Sequence, residues 1–192
     1  MTTTLITGAS AGLGAEFARQ VAARGDDVVL VARSRERLEA LAEELTAIHG
    51  VRAQVLVADL TKPGDVERVA RRAGSADEPI DLLVNNAGLG QGRAFVSNDL
   101  DAELAALDIM VRALMVLTHA AAVAMSARGK GAILNVSSVA TWLGNSTYSA
   151  HKAWVTSFTE GVSGELRGTG VTVTAVLPGL TRTEFHERAS IT

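Results

Sequence analysis

The chain has 192 residues, of which 47% are hydrophobic, and its formal net charge at pH 7 is -3. This length and apolar content predict one soluble domain, residues 1–192, with a sizeable core. The mild negative charge argues against a nucleic-acid surface, and a sequence without cysteine has no disulfides and no thiolate metal sites.

Predicted strands and helices alternate along almost the whole chain. Short apolar runs predict strands at residues 5–7, 27–32, 54–58, 82–84, 132–136 and 171–177. Apolar periodicity predicts helices at residues 13–24, 34–49, 62–73, 100–128 and 147–167. Gly25 ends the first helix, and Ser34 begins the second as its N-cap. Repeated strand–helix units form a parallel sheet with helices on both faces, so the predicted fold class is α/β.

The histidines, four in number, are scattered without the spacing of metal ligands, so no metal site is predicted. We find no apolar run long enough to span a membrane, and no signal peptide at the N-terminus. We therefore expect a cytoplasmic protein that binds neither nucleic acid nor membrane.

The conspicuous polar motifs all follow predicted strands. They are residues 8–14, Arg33, Asp59, residues 85–88, Ser137-Ser138 and Pro178-Gly179. The carboxyl ends of parallel strands share one edge of the sheet, and ligands of open α/β sheets bind there. We therefore expect one ligand site at this edge.

The first motif is a glycine-rich turn between a strand and a helix, with Gly8, Gly12 and Gly14. Glycines let backbone N–H groups approach an anion closely, and the helix directs its positive end towards it, so the turn predicts a phosphate cradle. The spacing differs from the commoner dinucleotide fingerprint, whose first two glycines are two residues apart. A tight turn without a ligand is the alternative.

Three further motifs suit a dinucleotide. Arg33 follows the second strand, where an acidic residue would bond the ribose 2'-hydroxyl. A guanidinium holds a 2'-phosphate instead, which predicts NADP(H) in preference to NAD(H), unless Arg33 only solvates the strand end. Asp59 either accepts a hydrogen bond from the adenine amino group or helps to cap the next helix. Residues 85–88 (Asn-Asn-Ala-Gly) leave room for a ribose, or are simply a turn.

Tyr148 and Lys152 are four residues apart at the start of the last predicted helix, which puts them on one face. A nearby ammonium favours the phenolate and lowers the pKa of a tyrosine, which makes it a better acid–base group at neutral pH. Ser138 ends the fifth strand and can hold a substrate oxygen in the same cleft. Most Tyr–Lys pairs on helices have no function, but Tyr148 is the only tyrosine of the chain.

Taken in order, the motifs resemble those of the short-chain dehydrogenase/reductase family. They are residues 7–14 (Thr-Gly-Ala-Ser-Ala-Gly-Leu-Gly), residues 85–88, Ser138, residues 148–152 (Tyr-Ser-Ala-His-Lys) and Pro178-Gly179. The resemblance extends over the whole chain and implies a Rossmann-like, three-layer fold with a doubly wound parallel sheet of strand order 3-2-1-4-5-6. It also implies hydride transfer, without a metal, between a nicotinamide and a small or medium carbonyl or secondary alcohol.

The same resemblance implies roles for individual residues. Tyr148 is the general acid in reduction and the base in oxidation, Lys152 lowers its pKa and binds ribose, and Ser138 positions and polarises the carbonyl. The implied cofactor-binding residues are Gly8, Ser10, Ala11, Gly12, Leu13, Gly14, Arg33, Asp59, Leu60, Asn86, Ala87, Gly88, Tyr148, Lys152, Pro178, Gly179, Thr181 and Thr183. We expect a homodimer or homotetramer through the helices at residues 100–128 and 147–167.

The sequence departs from the family at two places. Met110 aligns with an asparagine that usually kinks the long helix and anchors a water connected to the lysine, and a thioether is only a weak acceptor. Either other waters replace that relay, or activity is low, or the relay is dispensable. Family members also continue, as a substrate lid and a seventh strand with its helix, past the point where this sequence stops at Thr192. Both departures favour the alternative, a non-catalytic dinucleotide-binding regulatory protein.

Overall fold

A computed structural model describes residues 2–90 and 93–181 of the chain. Six strands form one parallel sheet in the order β3-β2-β1-β4-β5-β6, which is the order that the family resemblance implies. The strands are β1 (Thr3–Thr7), β2 (Asp27–Ala32), β3 (Ala53–Val57), β4 (Leu82–Asn85), β5 (Gly131–Val136) and β6 (Val171–Val176). The doubly wound α/β prediction is confirmed.

Helices connect the strands and pack on both faces of the sheet. They are α1 (Gly12–Ala22), α2 (Arg35–His49), α3 (Pro63–Ala73), α4 (Leu100–Leu107), α5 (Leu114–Arg128) and α6 (Thr147–Glu165). The 3-10 turns Phe95–Ser97 and Val139–Trp142 precede α4 and α6. The predicted start of α2 is confirmed, because the Ser34 hydroxyl accepts a hydrogen bond from the Arg37 N–H at 3.4 Å.

Alternate residues of each central strand belong to different apolar cores, one on each face of the sheet. Leu5 of β1 packs in the core that contains α3 and α5. Its neighbour Ile6 packs in the core that contains α1 and α2, and both side chains are fully buried. Because successive side chains point to opposite faces, a strand covered on both faces is apolar at most of its positions.

The helix predicted at residues 100–128 is not a regular α-helix throughout. A π-helical segment, Asp108–Ala113, joins α4 to α5, and the prediction of one regular helix was wrong at this point. The segment buries two consecutive side chains, Ile109 and Met110. Single π-helical turns inside α-helices occur frequently at functional sites.

The combined helix Leu100–Arg128 is long and apolar enough to cross a membrane, judged by length and composition alone. The prediction that the chain has no apolar run long enough to span a membrane was therefore wrong. This is weak evidence for a membrane span, since core helices of soluble proteins pass the same test. Leu117 and Ala121 of this helix are buried in the core on one face of the sheet.

Candidate active site

A cavity of about 980 Å³ lies at the carboxyl edge of the sheet, as expected from the positions of the polar motifs. Segments that follow all six strands contribute to its walls. The predicted site residues that line it are Gly8, Ser10, Ala11, Gly12, Leu13, Arg33, Asp59, Leu60, Asn86, Ala87, Gly88, Ser138, Tyr148, Lys152, Pro178, Gly179 and Thr181. Gly14 is not part of the lining, and Thr183 lies outside the described residues.

The glycine-rich turn has the backbone geometry of a phosphate cradle. Gly8 and Gly12 have φ angles of 68° and 56°, which favour glycine. Among the described residues, no side chain caps the N-terminus of α1, and no acidic residue lies in its first turn. The first N–H groups of α1 are therefore available to an anion in the cavity. This arrangement fits the pyrophosphate of a dinucleotide.

Gly14 lies behind the phosphate cradle and packs closely against Gly8 and Asn86. A β-carbon at Gly14 would lie 2.2 Å from the Gly8 carbonyl oxygen and 2.6 Å from Asn86 Nδ2, where no atom fits. Asn86 Nδ2 in turn donates to the Thr7 carbonyl at 3.0 Å, and the Thr7 hydroxyl accepts hydrogen bonds from the N–H groups of Asn86 and Ala87, each at 3.0 Å. Thr7 and Asn86 thus fasten the glycine turn to the end of β4.

The end of the cavity next to β2 is positively charged. Arg33 lines it, and so does Arg37, which lies one turn into α2 and which the sequence analysis did not single out. The neighbouring Arg35 forms an ion pair with Glu39 at 3.2 Å and does not line the cavity. Arg37 lies three residues after the N-cap Ser34. This spacing places it one helical turn from the strand end, and it could have predicted that Arg37 lies near the cavity.

Asp59 has a structural role in the turn before α3, and its contact with an adenine stays a prediction. Its Oδ1 accepts hydrogen bonds from the Thr61 N–H at 3.1 Å and from the Thr61 hydroxyl at 2.8 Å, so it shapes the turn into α3. Asp59 also lines the cavity. A structural role in the turn therefore does not exclude contact with an adenine.

Ser138 and Tyr148 form the acid–base end of the cavity. The Tyr148 hydroxyl is hydrogen-bonded to the Ser138 side chain, whose oxygen also accepts from the Ala140 N–H at 3.1 Å. Burial raises the pKa of Tyr148 above its ordinary value, and the hydrogen bond with Ser138 lowers it by less. Burial thus outweighs the hydrogen bond, and the lowering of this pKa by Lys152 stays a prediction.

Lys152 is almost completely buried beside Tyr148. Its ammonium lies 5.7 Å from the centre of the Tyr148 ring and donates a hydrogen bond to the Val136 carbonyl at 2.7 Å. The residue is 5% exposed, and burial lowers the pKa of its ammonium to about 8. With a pKa of about 8 the ammonium is still mostly protonated at neutral pH, so Lys152 is a cation beside the phenol.

These motifs and their geometry agree with a family-level match. A family model described as short chain dehydrogenase matches residues 2–191. The chain belongs to the short-chain dehydrogenase family. Sulfoacetaldehyde reductase 2 from Chromohalobacter salexigens is 38% identical over 186 residues, which cover 94% of this chain and 73% of the relative. Very-long-chain 3-oxoacyl-CoA reductase from Anas platyrhynchos is 35% identical over 191 residues, and the match covers 95% of this chain and 61% of the relative.

Solved structures show the same fold at high similarity. A short-chain dehydrogenase from Sphingobium yanoikuyae in complex with NADPH has a TM-score of 0.96 and 42% sequence identity, covering 100% of this chain and 76% of that one. The bulky-bulky ketone specific alcohol dehydrogenase from Comamonas testosteroni has a TM-score of 0.91 and 39% identity, covering 95% and 74%. This short-chain dehydrogenase therefore spans about three quarters of the length of both.

The part of the cavity formed by the segments after β4, β5 and β6 has apolar walls. Leu89, Val139, Leu143 and Leu180 line it, and the Val139 N–H donates to the Pro178 carbonyl at 3.1 Å, which joins two of these segments. Among the described lining residues, the charged groups are Arg33, Arg37 and Asp59 near the glycine turn, and Lys152. Apart from Lys152, this part of the cavity is thus lined by apolar and uncharged polar residues of the dehydrogenase.

Asn85, the first residue of the Asn-Asn-Ala-Gly motif at residues 85–88, has a structural role. Its Nδ2 donates to Asn135 Oδ1 at 2.9 Å and to the Thr118 hydroxyl at 3.1 Å, and Asn135 Nδ2 donates to the Thr159 hydroxyl at 3.0 Å. These buried bonds connect α5, β4, β5 and α6 behind the acid–base residues. The sequence motif alone did not separate this role from that of Asn86.

Proposed function

We propose that this chain is an NADP(H)-dependent oxidoreductase that transfers a hydride between the nicotinamide and a small or medium apolar carbonyl or secondary alcohol. The observation that carries the proposal is the Ser138–Tyr148 hydrogen bond beside buried Lys152, in one cavity with the glycine turn. The apolar walls of that cavity support an apolar substrate. Residues 1–192 form one NAD(P)-binding domain in this proposal, and we place the protein in the cytoplasm.

A bound nicotinamide would supply the hydride to the carbonyl carbon in reduction, or receive it from the alcohol carbon in oxidation. In reduction, the Ser138 hydroxyl holds the carbonyl oxygen next to Tyr148, and the Tyr148 hydroxyl gives its proton to that oxygen. The Lys152 ammonium stabilises the phenolate that remains, and it lies near Gly88 in the lining of the cavity, where it would bind a ribose. A neutral, protonated Tyr148 is the form that reduction requires, and the raised pKa of Tyr148 keeps it in that form.

The proposal predicts NADPH-dependent turnover. The purified chain is expected to oxidise NADPH, followed by the loss of absorbance at 340 nm, with at least one member of a panel of apolar aldehydes and ketones. NADPH binding without turnover across the panel would instead support the alternative, a non-catalytic dinucleotide-binding regulatory protein. The relatives give that alternative no support, because their names are those of dehydrogenases and reductases.

The preference for NADP(H) rests on the charge at the end of β2. Arg33→Ser is expected to weaken NADPH binding by roughly 10- to 100-fold, because a hydrogen bond to a charged group contributes about 1.5–3 kcal/mol. NADH binding is expected to change less than about twofold, since NADH has no 2'-phosphate. Calorimetric titration of both cofactors measures the difference.

Arg35→Ser is the matched control for Arg33→Ser. It removes the same charge two residues away, from a side chain that pairs with Glu39 and does not line the cavity. It is expected to leave both affinities within about twofold of the parent protein. Equal losses for NADPH and NADH in Arg33→Ser would reject the 2'-phosphate role of Arg33.

We also propose that the chain forms a homodimer or homotetramer through the helix at residues 100–128 and α6. The exposed apolar side chains Leu100, Leu104, Leu107, Met115 and Val123 all belong to α4 and α5. Several large apolar side chains exposed along one helical segment support an interface between protein chains.

A further inference from the structure

Lys152 is almost completely buried for a charged residue, although it borders the cavity. The residue is 5% exposed, and within residues 2–90 and 93–181 its Nζ has one hydrogen bond, to the Val136 carbonyl at 2.7 Å. An ammonium has three N–H donors, so this geometry leaves it less hydrated and less paired than a surface lysine. The identity of the atoms around Nζ therefore decides how stable its charge is.

The Met110 thioether and the Lys152 ammonium both lie near Gly88. A β-carbon placed on Gly88 would lie 3.8 Å from Met110 Sδ and 3.9 Å from Lys152 Nζ, so the sulfur and the ammonium approach Gly88 together. Met110 is 1% exposed and belongs to the π-helical segment Asp108–Ala113. A thioether sulfur is a weak acceptor and has no proton to donate, so it offers the ammonium little compensation for lost water.

The charged groups near Lys152 do not replace the missing solvation. On its own helix, Tyr148 presents its ring, and the pKa of His151 is lowered mainly by burial. Glu103 of α4 acts on His151, whose pKa it raises by less than burial lowers it. On the π-helical segment, Asp108 and Arg112 pair with each other at 3.1 Å. Burial is accordingly the cause of the lowered pKa of Lys152.

We propose that Met110 is a positioning residue that keeps water away from the Lys152 ammonium and thereby sets the pH at which Tyr148 loses its cationic neighbour. Lys152 is charged below this pH and supports the phenolate. As the pH rises through about 8, Lys152 releases its proton and that support is lost. The effect on turnover rests on the proposed function, whereas the effect on Lys152 itself does not.

The charge of Lys152 can be observed directly. The lysines of the sequence are Lys62, Lys130 and Lys152, so a protein labelled with ¹³C at lysine Cε gives a simple spectrum that Lys62→Arg and Lys130→Arg assign. In the parent protein the Lys152 signal is expected to titrate at about 8, below the value of about 10.4 for a lysine in a model peptide. A Lys152 midpoint near the model-peptide value in the parent protein would overturn the proposal.

Met110→Gln tests the role of the thioether with a side chain of similar length that can hydrogen-bond and hold water. It is expected to raise the Lys152 midpoint by about one pH unit or more. It is also expected to move the alkaline loss of NADPH-dependent reduction upwards by the same amount. Met110→Leu, which is apolar and of similar volume, is the matched control and is expected to leave both midpoints unchanged.

The outcomes separate the two proposals. Equal Lys152 midpoints in Met110→Gln, Met110→Leu and the parent protein would overturn the role of Met110, whatever the activity. No turnover with any carbonyl, together with the expected NMR shifts, would reject the proposed function and leave the role of Met110 supported. If Met110→Gln does not fold, Met110→Ala replaces it, since the space it leaves beside Nζ admits water and is expected to raise the midpoint in the same direction.

Discussion

Tyr148→Phe is expected to lower the rate of carbonyl reduction by about 10²- to 10⁴-fold, the usual contribution of a general acid. The variant loses the hydroxyl that is hydrogen-bonded to Ser138 and that gives its proton to the substrate oxygen. The ring remains, so Lys152 keeps its neighbour at 5.7 Å from the ring centre and NADPH affinity is expected to stay within about threefold. Steady-state rates and calorimetric titration with NADPH measure the two effects.

Ser157→Ala is a suitable control for this variant, because it removes a hydroxyl from an exposed position of the same helix. Its rate and its NADPH affinity are expected to match those of the parent protein. A Tyr148→Phe variant that keeps more than a tenth of the parent rate would show that another group protonates the substrate. A variant that has lost NADPH binding would show that the hydroxyl holds the cofactor and leave its acid role undecided.

Gly14→Ala is expected to have the largest effect on stability. Its β-carbon would be placed 2.2 Å from the Gly8 carbonyl oxygen, so the glycine turn or the start of α1 has to move. Overpacking of this kind costs roughly 3 kcal/mol, which corresponds to a fall in melting temperature of about 6–12 °C for a domain of this size. The displaced turn is also expected to weaken NADPH binding more than tenfold, because its N–H groups are positioned for the pyrophosphate.

Gly161→Ala is the matched control, the same substitution within a helix. A β-carbon at Gly161 meets no described atom within 4 Å, and alanine is the better helix former by about 1 kcal/mol. This variant is expected to melt slightly above the parent protein and to bind NADPH equally well. Similar melting temperatures for Gly14→Ala and Gly161→Ala would contradict the packing role of Gly14.

The sequence was sufficient to predict the order of elements, because strands covered on both faces are mostly apolar and helices are periodic. It also predicted the edge at which Ser138, Tyr148 and Lys152 meet, since carboxyl ends of parallel strands coincide. It did not predict the π-helical segment Asp108–Ala113, because its residues keep a helical apolar pattern. It also did not separate Gly14, which packs behind the cradle, from Gly8 and Gly12, which form it.

The electrostatics of the site were the least predictable part. A spacing of four residues shows that Lys152 and Tyr148 share a helix face, but the pKa of each depends on burial and on neighbours far away in sequence. Val136, which accepts a hydrogen bond from Lys152, comes from a strand, and Met110, which lies near Gly88 as Lys152 does, comes from another helix. The direction of the pKa of Tyr148 could therefore be obtained only from the folded arrangement.

The uncapped start of α1 has a consequence for the protein without its cofactor. Helices usually complete their first turn with a side chain of their own, whereas the described residues provide none here. A bound pyrophosphate would accept hydrogen bonds from these N–H groups and so act as the cap that the sequence omits. Cofactor binding would thus complete the hydrogen bonding of the first turn of α1. This turn would be more ordered when the cofactor is bound than when it is absent.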